Sequence, residues 1–394
     1  MKTILFLDAQ ATIIPCINYA KKCGYRVITC DSIPSREGHK YSDKSYNVST
    51  YDTDKLIELA KKENVDGVVF FASSHGLYGA CSVIEKLHLS GITEFINNVF
   101  SNKGHFREFL KKRGLNYPKY QIVNSANDNI LLNDYPAIVK PVDSAGGNTG
   151  VSKVYNKSQV ASAIEYALKE SYSKQVLIEQ FIESDIQING DCLINDGNID
   201  IIFIGKHLFS SKESIIPYAT IFGPNIIDEE AYISVKKELQ SIVRNIDLKN
   251  GIINIEIRID KNNNKPYTIE INPRHSGNKL YKLMNIEYNL SFEEIAVDNS
   301  LGIPFNKKID ARNGYYAYCI LYSRSSGVLK DIKISPLLSD KIIEKFDYKK
   351  MNDSVCGFKT LRDRISLLLL SFKDKEEMEK IICNIENYYT VELY

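Results

Sequence analysis

The segment IINIEIRIDKNNNKPYTIEINPRHSGN, residues 252–278, decides the fold because apolar and polar side chains alternate along most of it. Alternation with a period of two is typical of β-strands, in which every second side chain lies on the same face. Two such runs flank the sequence Asp-Lys-Asn-Asn-Asn, which is typical of a turn. The segment therefore predicts a β-hairpin with a polar face.

Two carboxylates share that face of the predicted hairpin. Glu256 lies in the first run, and Glu270 and Asn272 lie in the second. Carboxylate and amide oxygens are ligands that Mg²⁺ prefers. Arg274 follows at once, and its planar guanidinium suits a phosphate or a carboxylate. A solvated hairpin face, on which such residues are common, explains the same pattern, so the alternation alone leaves both interpretations open.

The composition is typical of a globular protein with more than one domain. The chain has 394 residues, of which 44% are hydrophobic and 25% are charged. Fifty Lys and Arg residues balance 49 Asp and Glu residues, and this near-neutral charge argues against a nucleic-acid or anionic-membrane binder. No apolar run approaches about 20 residues, so we predict no membrane span.

The cysteines, the histidines and the N-terminus indicate a cytoplasmic protein without zinc. The eight cysteines form no C-x-x-C pair and mostly lie in apolar runs, which is typical of buried free thiols in a reducing compartment. The six histidines show no ligand spacing, so we expect no zinc site. The apolar run 1–7 ends at Asp8 and is too short for a signal peptide.

A strand–helix–strand pattern opens the chain. We predict a strand at 2–7, a helix at 13–23 and a second strand at 25–30, which is a βαβ unit. The first loop lacks G-x-G-x-x-G, so the pattern does not support a dinucleotide site. A later strand at 65–71 precedes the loop 72–76. Ligands bind beyond the carboxyl ends of parallel strands, so this loop is a substrate candidate, although a plain connector explains it equally well.

A lysine, a glycine-rich segment and a glutamate follow in order. Lys140 lies inside the short apolar strand 136–141, where a charge needs an anionic partner or a path to water. The segment 143–151, DSAGGNTGV, has three glycines, whose backbone amides can close over phosphate oxygens. A flexible hairpin tip has a similar composition. Glu179 then lies inside another predicted strand.

Periodicity and turn residues predict the remaining elements. Residues 195–198, Asn-Asp-Gly-Asn, predict a hairpin turn, residues 214–225 a Pro- and Gly-bearing loop, and residues 305–313 a linker. We further predict helices at 54–63, 102–114, 158–171 (capped by Ser158), 229–247, 289–301 and 375–387, and strands at 315–322, 365–372 and, as an edge strand, 389–393.

The order of strand lysine, glycine-rich loop, strand glutamate and then Glu-(13)-Glu-x-Asn-x-Arg resembles the ATP-grasp superfamily. This superfamily includes biotin carboxylase, carbamoyl phosphate synthetase, glycinamide ribonucleotide synthetase and the L-amino acid ligases. The resemblance covers about residues 1–305 and is most specific in EINPRHSGN, residues 270–278. The spacing between the two glutamates is slightly long for the family, with the extra residue in the turn at 262–264. The tail beyond Asn306 resembles the C-terminal domain of the amino-acid ligase and carboxylate–amine ligase branch.

The resemblance implies an α/β and α+β protein with an ATP-grasp fold. It implies a Rossmann-like pre-ATP-grasp domain at 1–104 and an ATP-grasp domain at 105–305. Within the latter, a lid would cover about 115–183 and a metal and nucleotide lobe about 184–305. Residues 306–394 would form a small C-terminal α+β domain.

The resemblance also implies a nucleotide site. Lys103 and Lys140 would contact the phosphates, and the mobile loop would cover them through Ser144, Gly146, Gly147 and Thr149. Glu179 would hold the adenine amino group or lie at the hinge, beside Phe181 and Ile182. The family's ribose-binding acidic residue has no match, so Gln187, or Asp185, takes that position.

The metal and substrate sites follow from the same resemblance. The Mg²⁺ (or Mn²⁺) ligands would be Glu256, Glu270 and Asn272. Arg274 would meet the transferring phosphoryl group or the acyl phosphate, and Lys140 would be the second catalytic residue. The substrate would be bordered by His275, Ser276, Gly277, Asn278 and, from the N-terminal loop, His75.

The implied activity is that of an ATP-dependent carboxylate–amine ligase. ATP phosphorylates a carboxylate, an amine attacks the acyl phosphate, and ADP and phosphate are released. We expect small-molecule carboxylate and amine substrates, such as amino acids, and no nucleic-acid or membrane partner. Many family members are dimers, which leaves a homodimer open. The alternatives are an enzyme like glycinamide ribonucleotide synthetase or carbamoyl phosphate synthase, or a non-catalytic nucleotide-binding protein.

Overall fold

A computed structural model describes residues 1–143, 148–211 and 213–394, and a parallel four-stranded sheet opens the chain. Its order is β3-β2-β1-β4, from β1 Thr3–Leu7, β2 Arg26–Cys30, β3 Lys44–Tyr46 and β4 Gly67–Val69. The helices of this region are α1 Ile14–Lys22, α2 Thr53–Lys62, α3 Ser74–Leu87, α4 Glu94–Ser101 and α5 Lys103–Lys112. Alternate β1 residues enter two different apolar cores, which is typical of a parallel sheet covered on both faces. The predicted βαβ unit is confirmed.

An antiparallel sheet follows, in the order β5-β8-β6-β7. It consists of β5 Tyr120–Val123, β6 Ala137–Pro141, β7 Ser152–Val154 and β8 Val176–Gln180, with α6 Val160–Glu170 packed against it. The predicted cap at Ser158 is wrong. A 3₁₀ turn, Lys157–Gln159, occupies the expected first helical residues, and the Ser158 hydroxyl bonds the Asn156 side chain instead.

The next strands build most of an eight-stranded sheet. They are β9 Ile186–Asn195, β10 Asn198–Phe209, β11 Pro217–Phe222, β12 Gly251–Ile259 and β13 Pro266–Asn272, with helices α7 Glu229–Ile246, α8 Leu280–Tyr288 and α9 Phe292–Ser300. Both predicted hairpins, β9–β10 and β12–β13, are confirmed. The loop predicted at 214–225 is wrong for its central part, because β11 pairs with a strand on each side. Pro217 takes the first strand position, where a missing N–H is tolerated.

The C-terminal segment extends the same sheet. Its elements are β14 Tyr315–Leu321, β15 Gly327–Ile334, β16 Ile342–Asp347, β17 Ser354–Val355, β18 Ser366–Phe372, β19 Tyr389–Leu393, α10 Pro336–Ser339 and α11 Lys375–Ile382. The sheet order β13-β12-β9-β10-β11-β14-β18-β16 crosses the boundary implied at residue 306, while β17-β15-β19 form a smaller sheet. The domain boundaries themselves stay a prediction. Residues 303–314 contain no helix or strand, as expected for the linker.

One face of the large sheet is apolar and the other is polar near its middle. Helix α7 packs on the apolar face through buried residues that recur at helical spacing, Val235, Leu239, Ile242, Val243 and Ile246. The even-numbered β9 residues Ile188, Cys192 and Ile194 meet this core, so the odd-numbered Gln187, Asn189 and Asp191 share the opposite face. This second face carries the candidate site.

Two further expectations concern thiols and membrane segments. All eight cysteines are free, but only five are buried, whereas Cys23, Cys356 and Cys383 are exposed. Across 1–143, 148–211 and 213–394, each helix is too short or too polar to cross a bilayer.

Candidate functional site

The hairpin β12–β13 places the two predicted carboxylates side by side. Glu256 lies directly opposite Glu270 in the strand register, and Asn254 lies opposite Asn272. On its other side β12 pairs with β9, so the polar face continues through the pairs Glu256–Asn189, Asn254–Asp191 and Arg258–Gln187. The prediction that Glu256, Glu270 and Asn272 share one sheet face is confirmed by this register.

The two carboxylates have opposite electrostatic environments. Burial and the Glu270 charge raise the pKa of Glu256. Burial also opposes ionisation of Glu270, but Lys103 and the Asn272 amide outweigh it and lower the pKa of Glu270. The Lys103 Nζ lies 3.5 Å from Glu270 Oε2, and Asn272 Nδ2 donates to Glu270 Oε1 at 3.1 Å. Like charges directly opposite each other in a sheet are destabilising, so a cation between them would relieve the repulsion.

This donor set suits a hard divalent cation such as Mg²⁺. It combines two carboxylates with one amide oxygen on adjacent strands. Within the described ranges, no three His, Cys, Asp or Glu side chains cluster as a metal site. The Asn272 amide, which follows Glu270 on the same face of β13, is the additional oxygen donor on this face.

A buried group of three charges lies next to these carboxylates. Glu179 accepts a hydrogen bond from Arg107 Nε at 2.9 Å and another from Lys140 Nζ. Burial opposes ionisation of Glu179, but the charges of Arg107 and Lys140 outweigh it and lower its pKa to about 2. Burial lowers the pKa of Lys140, and Glu179 partly offsets this. Glu179 is the anionic partner that the position of Lys140 required.

Arg107 ties three elements together and was missed from the sequence. It is fully buried on α5, and it donates to the carbonyls of Ile269 at 2.8 Å and Thr268 at 3.4 Å on β13. A signal for it exists, because Arg107 lies three residues before Leu110 on the apolar face of α5. A charge at that position needs a buried partner, as Lys140 does.

Helix α5 begins beside Val142, the residue just before the glycine-rich segment. Asn102 caps the helix by accepting from the amides of Gly104 and His105, and the Lys103 amide donates to Val142 O at 2.9 Å. Of the predicted phosphate-loop residues, Ser144, Gly146 and Gly147 lie outside the described residues. Thr149 lies in the turn that precedes β7. Lys103 thus lies between Glu270 and the start of this loop.

The Arg258 side chain contacts the residues predicted for the hinge and for ribose binding. Its guanidinium donates to Ile182 O at 3.2 Å and to Gln187 Oε1 at 2.6 Å, and it lies 4.6 Å from the centre of the Phe181 ring. Gln187 in turn donates to Glu256 Oε1, so both ends of its amide contact protein groups. The alternative ribose residue, Asp185, is exposed. Arg258 was missed from the sequence as a site residue.

Arg274 joins β13 to the N-terminal region. Its Nε donates to the Ser74 hydroxyl at 2.8 Å, and its Nη1 donates to His275 O at 2.8 Å. Ser74 is the first residue of α3, and the predicted substrate residue His75 follows it, with its Nδ1 against the Tyr51 hydroxyl. The structure therefore brings the predicted loop after β4 next to Arg274.

A buried aspartate holds the segment after Arg274. Asp191 is fully buried and accepts from His275 Nδ1 at 2.9 Å, from the Ser276 amide at 3.1 Å and from Asn254 Nδ2 at 2.9 Å. Among the residues that the structure describes, His275 Nε2 has no hydrogen-bond partner. The sequence missed Asp191, although a carboxylate inside the apolar run of β9 is the same signal that Lys140 gave.

A row of polar side chains crosses the sheet beside this segment. His207, Thr220 and Tyr318 are paired in register on β10, β11 and β14, and His207 Nδ1 lies 2.5 Å from Thr220 Oγ1. The Tyr318 hydroxyl contacts the side chains of Thr220 and Asn278. Burial and the charge of Arg258 lower the pKa of His207 to about 3. Thr220 was missed from the sequence, because a loop is predicted where its strand lies.

Comparison with known protein families finds a match for the part of the chain that contains this site. The model of the ATP-grasp domain matches residues 133–282. The carbamoyl phosphate synthase large chain from Pseudothermotoga lettingae is 23% identical over 260 residues, which cover 64% of this chain. The chain spans only 23% of that relative's length.

Solved structures of low sequence identity share the fold over nearly the whole chain. The crystal structure of an L-amino acid ligase from Bacillus licheniformis superposes with a TM-score of 0.82 and 19% identity, covering 100% of this chain and 99% of that one. The biotin carboxylase domain of Hydrogenobacter thermophilus 2-oxoglutarate carboxylase, a dimer crystallised with MgADP, ADP and bicarbonate, gives 0.70 and 14%, with coverages of 99% and 90%. These likenesses confirm the predicted fold class, and the domain match confirms the predicted resemblance. The chain carries an ATP-grasp domain, residues 133–282, within the mixed α/β fold of the ATP-grasp proteins.

Proposed function

We propose that the protein is an ATP-dependent carboxylate–amine ligase that forms an acyl phosphate and releases ADP and phosphate. The observation that carries this proposal is the pairing of Glu256 with Glu270, beside Asn272 and Lys103, on a polar sheet face. Two carboxylates that repel each other next to a lysine suit a metal-bound polyphosphate, which brings charges of both signs. Phosphoryl transfer depends on such charge neutralisation and on positioning more than on a protein nucleophile.

The nucleotide would lie between the sheet β5-β8-β6-β7 and the eight-stranded sheet. Lys103, Lys140 and Arg274 would supply fixed positive charge, and Arg107 with Glu179 would hold Lys140 in place. Glu256, Glu270 and Asn272 would hold Mg²⁺, or Mn²⁺ as the alternative, which supplies charge neutralisation at the phosphates. The hinge at Phe181 and Ile182, with Gln187, would border the adenosine. The loop at 144–149 would close over the phosphates and exclude water.

The acid substrate would lie beyond Arg274. Arg274 contacts Ser74 at 2.8 Å, and Asp191 accepts from the Ser276 amide at 3.1 Å, so hydrogen bonds hold both walls of this region. A carboxylate placed there would attack the γ-phosphorus, with ADP as the leaving group. An amine would then attack the acyl carbon and displace phosphate. Gly277, Asn278, His275 and His75 would border the two substrates.

Amino acids are the substrate class that we propose first. The fold similarity to an L-amino acid ligase over both whole chains supports this choice. An enzyme like glycinamide ribonucleotide synthetase or carbamoyl phosphate synthase is the alternative. The cytoplasmic location and the homodimer stay predictions.

Phosphate release tests the proposal. The protein is incubated with ATP, Mg²⁺ and pools of amino acids, other acids and amines, and an active pool should stimulate phosphate release, with the product identified by mass spectrometry. The substitution Glu270→Gln should lower the rate about 100-fold or more, since it removes one preorganised charge at the phosphates. Glu294→Gln is the matched control, because Glu294 is similarly half-buried and also pairs with a lysine, Lys307. If no pool stimulates release, or if Glu270→Gln behaves like Glu294→Gln, the ligase proposal fails.

A further inference from the structure

A cavity next to the Arg274 segment carries excess positive charge. It has a volume of about 510 Å³ and lies between the N-terminal loops, the segment after Asn278 and the C-terminal strand β16. Its lining residues are Gln10, Thr12, Ala72, Ser73, Gly277, Lys279, Lys345, Phe346, Asp347, Tyr348 and Arg364. Three cations therefore face one carboxylate.

Among the residues that the structure describes, one of these three cations has a carboxylate partner. Lys345 Nζ lies 3.0 Å from Asp347 Oδ1, and Asp347 also accepts from the Ser366 hydroxyl at 2.6 Å. Within the described part of the chain, Lys279 and Arg364 form no ion pair. Nearby Lys282 is different, because it pairs with Glu344 at 2.8 Å and does not line the cavity. The unpaired charge in the cavity thus belongs to Lys279 and Arg364.

The guanidinium of Arg364 is held in place, but not all of its N–H donors are used within the described residues. It stacks on Tyr348, with its central carbon 3.9 Å from the ring centre, and donates from Nη1 to Leu361 O at 3.3 Å. Its Nε is buried and has no hydrogen-bond partner among the described residues. The Arg364 guanidinium therefore keeps hydrogen-bond donors that no described residue uses.

The Lys279 side chain likewise has no acceptor among the described residues. It has a left-handed backbone conformation, φ 61°, just before α8, and its Nζ lies 5.7 Å from the Phe346 ring centre. Burial and the charges of Lys282 and Arg364 lower the pKa of Lys279, although Glu344 partly offsets them. The crowding of cations that face a cavity is typical of an anion site.

We propose that Lys279 and Arg364 bind a second oxyanion, a carboxylate or a phosphate, on the acid substrate. This inference rests on the proposed function and narrows its substrate class. The cavity adjoins Arg274, since Gly277 lines it and since Ser73, another lining residue, precedes the Ser74 that Arg274 contacts. The substrate then carries two anionic groups, one activated beside Arg274 and one held at Lys279 and Arg364. The second contact orients the reacting carboxylate toward the phosphate.

Substrate pairs that differ in one anionic group test the proposal. Phosphate release is measured with glutamate against glutamine, which tests a carboxylate, and with O-phosphoserine against serine, which tests a phosphate. We expect the wild type to prefer one charged member, and we expect Lys279→Gln and Arg364→Gln to raise its KM about tenfold or more with little change in kcat. Lys333→Gln is the control, because Lys333 is exposed and its partner Glu392 keeps a contact with Lys330. Preference for the uncharged members, or an unchanged KM in both cavity variants, overturns the proposal.

A binding measurement separates this inference from the ligase activity. Inorganic phosphate and succinate are titrated into the full-length protein saturated with MgADP, and thermal unfolding confirms that each variant is folded. We expect one of the two anions to bind the wild type at least about tenfold more tightly than it binds Lys279→Gln, with ADP affinity unchanged. Equal anion affinities overturn the inference. Normal anion binding without phosphate release from any pool contradicts the proposed ligase alone.

Discussion

Replacement of Arg107 by methionine tests how the nucleotide region is held together. Methionine keeps most of the side-chain volume but removes the charge and every donor. Glu179 then keeps Lys140 as its partner but loses Arg107, and the carbonyls of Thr268 and Ile269 lose their donor. Because Arg107 is fully buried, water cannot replace these bonds without entering the core.

The size of the effect follows from these contacts. Breaking a buried ion pair by removing one partner costs about 3–5 kcal/mol, and we take the lower value of about 3 kcal/mol because Lys140 still contacts Glu179. For a domain of about 150–250 residues, such as the implied ATP-grasp domain at 105–305, 1 kcal/mol corresponds to about 2–4 °C in the midpoint of thermal unfolding. We therefore expect the midpoint to decrease by about 6–12 °C. Lys103 lies one helical turn before Arg107 on α5, so ADP affinity should decrease as well.

Thermal unfolding followed by circular dichroism, together with ADP titration, measures both effects. Arg113→Met is the matched control, because Arg113 is exposed just after the last turn of α5 and stacks 5.9 Å above Phe109. A surface substitution of this kind changes stability by about 0.5 kcal/mol or less. If Arg107→Met unfolds at the same temperature as Arg113→Met, the buried triad does not stabilise the fold as we argue.

Two further substitutions test the substrate loop and the acid stability. Asp191→Asn removes the charge from the carboxylate that binds His275, and a hydrogen bond to a charged group is worth about 1.5–3 kcal/mol. The KM for the acid should therefore rise about tenfold or more. ADP affinity, measured by titration, should stay constant. The pKa of Glu63 is lowered to about 2, against the effect of burial, by Lys44, Tyr46 and Arg26. Its ionised form therefore stabilises the fold above pH 4.5, and this stabilisation is lost as the pH falls toward 2. Between pH 5 and 3 the unfolding temperature of the wild type should fall more steeply than that of Glu63→Gln, whereas parallel curves would contradict the argument.

The elements that could be predicted from the sequence have signals within a few residues. The β12–β13 hairpin has alternation and a turn, and the βαβ unit has a buried strand on either side of a helix. The register that follows from alternation places Glu256 opposite Glu270 without any knowledge of the rest of the chain. Local pattern therefore accounts for half of the candidate site, including its proposed metal ligands.

The parts that could not be predicted depend on contacts between distant segments. Strand β11 begins with a proline, and only its pairing with β10 and β14 makes it a strand. Arg107 and Asp191 meet partners 72 and 84 residues away, so a local pattern shows that each is a charge in an apolar run but not which group satisfies it. The basic cavity lies where three distant segments meet, and its Arg364 belongs to a region that the sequence described only as an α+β tail.

The two lysines predicted to contact the phosphates differ in how firmly they are held. Lys140 and Glu179 are both nearly inaccessible, and Arg107 keeps Glu179 ionised, so separating this pair would leave charges buried without a partner. Lys103 lies 3.5 Å from Glu270, and both side chains reach solvent in part, so this contact is exchanged at little cost. If Glu256 and Glu270 held Mg²⁺, its charge would neutralise these carboxylates, and Lys103 would then be available to a phosphate. Metal and nucleotide would then each favour the binding of the other. Lys140 would keep its position in both states, whereas Lys103 would change its partner.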